Sequence, residues 1–130
     1  MTGPHMRRFA IVLSALLLHG CDLFPIGVCT DQLVYGIEVT VRDSMTGALL
    51  SVDPTGVLTD GSYRETMEPV GTSHLWGAPE RPGTYDIEIT AQGYRTWNRQ
   101  GVEVEMESNG CHVETVELEA RMASLAGQFE

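Results

Sequence analysis

The sequence predicts an all-β chain: an antiparallel β-sandwich of about seven strands. Three observations carry this expectation. Apolar and polar residues alternate at Ile37, Val39 and Val41, at Tyr85, Ile87 and Ile89, and at Val102, Val104 and Met106, the period of a half-buried strand. Turn-forming clusters separate these runs at roughly 8–12-residue intervals. No amphipathic helix is written into the globular part.

The elements follow in order. Ile37, Val39 and Val41 define the first strand, closed by the turn cluster Asp43-Ser44-Met45-Thr46-Gly47. Ala48 to Val52 is expected as a short second strand, turned by Asp53-Pro54-Thr55-Gly56. Val57-Leu58-Thr59 then meets Asp60-Gly61, a hairpin signal, with Ser62 to Met67 as the returning strand. Residues 68–82, with three prolines and two glycines, are expected as the longest irregular loop. Gly83 opens the clearest strand, through Tyr85, Ile87 and Ile89. Tyr94 to Asn98 and Val102 to Met106 are expected as two strands separated by Gly101. Glu107-Ser108-Asn109-Gly110 makes a turn, and Cys111 to Glu119 the last strand. In it Val113 falls on one face while Val116 and Leu118 fall on the other, so a β-bulge near Glu114-Thr115 is expected. The tail, Arg121 to Phe129, is too short to hold a helix alone and is expected to be loose. This reading places the domain at 33–120 and the tail at 121–130.

The N-terminus carries an address. Met6-Arg7-Arg8 precedes the uncharged run Phe9 to Leu18, then His19, Gly20 and Cys21: a basic region, an apolar stretch and a small residue before a cut. Met6-Arg7-Arg8 opens such a region well while residues 1–5 add nothing it needs, so either translation begins at Met6 or the basic region from Met1 is slightly long. Leu18-His19-Gly20-Cys21 resembles the lipobox of bacterial lipoproteins. That resemblance implies a signal peptide over 1–20, acylation of Cys21 with chains such as palmitate, and a tether over 21–32. It also implies a lipid-anchored protein of the cell envelope facing outside the cytoplasm. The apolar run is short of the roughly 20 residues that a spanning helix needs.

Without residues 1–20, six arginines stand against 18 acidic residues, a formal net charge of −12, and there is no lysine. Such a domain is repelled by nucleic acid, whose binding proteins meet phosphate with Lys and Arg. Of three cysteines, lipidation of Cys21 leaves Cys29 and Cys111. An extracytoplasmic compartment permits a disulfide between them; two separately buried thiols are the alternative. A structural zinc site is not expected, because neither cysteine has a CxxC partner.

From Ile37 to Leu118 the chain resembles the carboxypeptidase regulatory-like domain, a transthyretin-like (prealbumin-like) β-sandwich. The residues that carry the resemblance are Glu38 to Asp43 with Thr46-Gly47, then Asp60-Gly61-Ser62-Tyr63, and Arg81-Pro82-Gly83-Thr84-Tyr85-Asp86-Ile87 running on to Ala91-Gln92-Gly93-Tyr94. The resemblance implies a module without a catalytic zinc of its own and without an assigned activity.

No constellation of catalytic residues is expected, and no cofactor or metal. The transthyretin-like hydrolases of purine breakdown carry a C-terminal Tyr-Arg-Gly-Ser signature that is missing here. Ser73-His74 is an adjacent pair in the expected loop, with no nucleophile-elbow context. Glu103, Glu105 and Glu107 read as a solvated strand face rather than a calcium site. Trp76, in the 68–82 segment, and Trp97, sharing parity with Arg95 and Arg99, are the candidate contacts for a glycan, small ligand or envelope protein. One of the two is expected in the core. The function expected is a noncatalytic, lipid-anchored binding or structural module. The alternative is a carbohydrate or small-ligand module using Trp76 and the 68–82 segment.

Overall fold

The computed structural model describes residues 28–128. Eight strands form two four-stranded sheets: β1 (Tyr35–Asp43), β2 (Thr55–Asp60), β3 (Tyr63–Thr66), β4 (Glu68–Val70), β5 (His74–Pro79), β6 (Gly83–Thr90), β7 (Trp97–Val104) and β8 (Val116–Met122). The first sheet runs β4-β5-β1-β8 and the second β3-β2-β6-β7. The sandwich is the predicted one, with one difference in direction: β8 runs parallel to β1, pairing Ile37 with Val116 through Asp43 with Met122. The first and last strands therefore lie side by side at the centre and edge of one sheet.

The alternating runs bury as their period dictates, except Met106, which lies past the end of β7 and is exposed. Ile37, Val39 and Val41 of β1 face Tyr85, Ile87 and Ile89 of β6 in one cluster with Leu58, Leu75, Val102, Val104, Ala120 and Met122, all nearly inaccessible. The Asp60-Gly61 hairpin joins β2 to β3 as expected, with Asp60 opposite Tyr63. Gly56 on β2 is required by packing, since a Cβ there would stand 2.6 Å from Met67 Sδ.

Several expectations are corrected. Ala48 to Val52 makes no strand; Leu49 only bridges Arg42, and Leu50 drops into the core. Residues 68–82 are not an irregular loop but mostly the hairpin β4–β5, turned at Gly71. Its prolines are tolerated because Pro69 lies on an edge strand and Pro79 ends its own. The two strands expected between Tyr94 and Met106 are the single β7, which runs through Gly101 (φ 68°). The bulge lies here rather than at Glu114-Thr115: the register shifts between Tyr85 and Ile87, opposite the stretch containing Gly101. Val113 lies outside β8 and bridges Met106, which accounts for its parity. β8 continues past the expected domain end to Met122. The tail is pinned rather than loose, with Arg95 N–H donating to Ala123 O, Leu125 N–H to Gly93 O, and a short 3-10 turn over Leu125–Gln128.

Cys29 and Cys111 form a disulfide with a Cα–Cα distance of 5.3 Å. Beside it, His112 Nδ1 lies 2.8 Å from Glu80 Oε1 and its Nε2 lies 2.9 Å from Thr30 Oγ1. Glu80 also accepts the Val34 N–H. The next residue serves the other sheet. Arg81 Nη1 donates to Asp60 Oδ2 at 2.8 Å and to Tyr85 Oη at 2.7 Å, and its guanidinium lies 3.9 Å over the Tyr63 ring.

Candidate functional site

The outer face of the first sheet is set by strand register. Glu68, Trp76, Glu38 and Glu117 stand opposite one another across β4, β5, β1 and β8. Val70, His74, Thr40 and Glu119 make the neighbouring row. Because alternate residues of a strand share a face, burial of Leu75 and Val39, with Leu118 partly buried against the core, turns Trp76, Glu38 and Glu117 outward.

Trp76 is half-buried, and the Tyr35 ring leans on it at 5.2 Å between centroids and 43° between planes. The Tyr35 hydroxyl donates to Glu68 Oε2 at 2.6 Å, which fixes the ring and, by that hydrogen bond, raises the phenol above its ordinary pKa. Beside the rings lies a hollow of about 260 Å³ bordered by Trp76, Glu38, Thr40, His74 and Glu117. Thr40 Oγ1 and His74 Nδ1 share a hydrogen bond of 3.1 Å. Glu38 and Glu117 sit directly opposite each other, a pairing of like charges that costs stability, and among the described residues neither has a hydrogen-bond or ion-pair partner. The hollow thus offers a flat aromatic surface, two unclaimed carboxylates, a hydroxyl and an imidazole.

The other candidates divide. Trp97 stands opposite the buried Ile89 and packs against the core, so it belongs to the inner face rather than the outward one. The bulge at Gly101 lets Trp97 and Val102 share that face despite an odd spacing. The guanidinium over Tyr63 and near Tyr85 is that of Arg81. Ser73 is buried with its hydroxyl donating to Leu50 O, while His74 is exposed on Thr40, so the adjacent pair does not act together. Cys21 lies outside the described residues. Among the described residues no group of three or more His, Cys, Asp or Glu could hold a metal ion. Tyr35, Glu38 and Glu117 were not among the sequence candidates; the outward positions of β1 and of the final strand were legible, but their neighbours were not.

No protein-family model and no curated protein sequence matches this chain. Among solved structures it is similar to one titled a putative carbohydrate binding protein from Bacteroides uniformis ATCC 8492, with a TM-score of 0.48 and 13% identity. The match covers 66% of this chain and 40% of that one, so this chain spans less than half of that protein's length.

Proposed function

We propose that this chain is a noncatalytic binding module of the bacterial cell envelope, held at a membrane by lipid on Cys21, with a carbohydrate as its ligand. In this reading it is a carboxypeptidase regulatory-like sandwich, as the sequence resemblance implies. The observation that carries the ligand class is the Tyr35–Trp76 pair beside a hollow edged by Glu38, Thr40, His74 and Glu117. A pyranose ring has an apolar C–H face that stacks on an indole, and hydroxyls that donate to carboxylates and accept from Thr or His. Locked rings reduce the entropy lost on binding, and the Tyr35–Glu68 hydrogen bond supplies that lock.

The first test is a glycan array with the full chain, followed by titration calorimetry. Trp76→Ala is expected to weaken binding about tenfold or more with an unchanged melting temperature, while Trp97→Ala lowers the melting temperature. Absence of any glycan binding by the unaltered protein, or binding indifferent to Trp76→Ala, overturns the carbohydrate reading. The anchor is tested separately by mass: the mature protein is expected to begin at an acylated Cys21 and Cys21→Ala to block that processing, while unmodified wild-type protein in the soluble fraction overturns the anchor.

A further inference from the structure

We infer that the outer face of the second sheet carries a second sugar subsite, shaped for one neutral hexose unit of a glycan. It shares the carbohydrate reading of the Trp76 face but none of its residues. Thr59 of β2 stands between Arg64 of β3 and Asp86 of β6, and Val57 stands opposite Glu88, which in turn faces Asn98 of β7. With Gln100 these residues border a hollow of about 210 Å³, well below the roughly 300 Å³ at which drug-sized pockets begin, and suited to a single ring.

The chemistry of the border selects the occupant. Arg64, Asn98 and Gln100 carry donors, Asp86 and Glu88 only acceptors, and half-exposed Val57 lends an apolar patch. A sugar hydroxyl donates and accepts at once, so one ring with several hydroxyls satisfies both kinds while laying its C–H face on Val57. Arg64 forms no ion pair with Asp86 or Glu88, and among the described residues Arg64, Glu88, Asn98 and Gln100 have no side-chain partner. Asp86 is already oriented: its Oδ1 accepts the Gly101 N–H at 3.0 Å, which ties it to the β7 bulge. Two carboxylates against one guanidinium disfavour an acidic sugar, so a neutral one fits. The two hollows lie on the outer faces of opposite sheets, and a domain with both joins two glycan strands rather than gripping one.

The test is a nitrogen-15 NMR titration of the full chain with maltohexaose, cellohexaose and mannohexaose, and with hexagalacturonate. The amides of Val57, Thr59, Asn98 and Gln100 are expected to shift with at least one neutral probe and not with the galacturonate. Arg64→Ala combined with Asn98→Ala is expected to weaken that response about tenfold or more, with the melting temperature unchanged. Should that pair unfold the protein, Gln100→Ala with Thr59→Val takes its place. Trp76→Ala is expected to leave this response intact. The second subsite is overturned if these amides stay still with every neutral probe at millimolar concentration, if the galacturonate is preferred, or if Trp76→Ala abolishes their response. Shifts at these amides without shifts around Trp76 retain the second subsite and overturn the first reading.

Discussion

Glu80 and Arg81 are adjacent in the chain, yet they fasten the molecule in two different ways. Glu80 faces the end where Cys29–Cys111 and the Thr30–His112 pair join the entering segment to the approach to β8. Arg81 turns to the second sheet, where Asp60, Tyr63 and Tyr85 enclose its guanidinium. The first fastening is chiefly covalent and acts by restricting the unfolded chain. The second is a polar network assembled only in the folded state, where Tyr85 Oη also donates to Arg81 O and Tyr63 donates to Glu65 Oε2. That last bond, with burial, pushes the Tyr63 phenol up to about 12. The contrast teaches that the same joint is redox-sensitive on one side and indifferent to redox on the other.

The largest expected effect is at the disulfide, which closes a loop with a sequence separation of 82. Cys29→Ser, Cys111→Ser and the double variant are each expected to lose about 2–5 kcal/mol, equally, in urea unfolding monitored by tryptophan fluorescence. Reduced wild-type protein should match them. A double variant markedly worse than either single one would mean the thiols act separately, which breaks the comparison.

Next is Tyr85→Phe, which removes a hydroxyl that both accepts from Arg81 and donates to its carbonyl. About 1 kcal/mol is expected, because two partly buried hydrogen bonds are lost while Arg81 keeps its bond to Asp60. Its effect should be the same with and without reductant, and additive with Cys111→Ser if the two fastenings are independent.

The smallest effect concerns pH. His112, then the Val34 N–H, hold the Glu80 carboxyl below the usual carboxylate range. A lowered folded-state pKa stabilises above the unfolded value, near 4.3, and that contribution is lost as pH falls through the folded value. Asp43, held down by the Thr46 and Met45 N–H groups, acts in the same direction. Glu80→Gln is therefore expected to lower the melting temperature at pH 7, where this contribution is fully present, and to converge with wild type as pH falls below about 4, so its acid decline is flatter. An acid profile identical to wild type would remove Glu80 from the clasp's energetics.

Much of the fold was legible because its signals are local. The alternation in β1 and β6 and the Asp60-Gly61 hairpin each state their geometry within a few residues. β5 was missed because glycine and three prolines around it read as punctuation; only its position inside a hairpin, with Leu75 and Gly77 turned inward, makes Trp76 part of a strand face. The bulge was anticipated in the wrong strand for a related reason. The parity break at Val113 marks a residue that lies outside β8 rather than an extra one within it, whereas the extra residue sits in β7, where Gly101 takes it through its positive φ.

The sequence by itself determined the all-β class, the acidic surface and Trp76 as a candidate contact, while the pairing of Cys29 with Cys111 was one of its open readings until the structure joined them. These depend on composition and short-range period. Tertiary structure alone decided that β8 lies parallel to β1, that Glu38 meets Glu117 beside Trp76, and that Trp97 turns inward. Those outcomes depend on which strands become neighbours across tens of residues, and register between distant strands is fixed by packing of the shared core rather than by any residue's own preference.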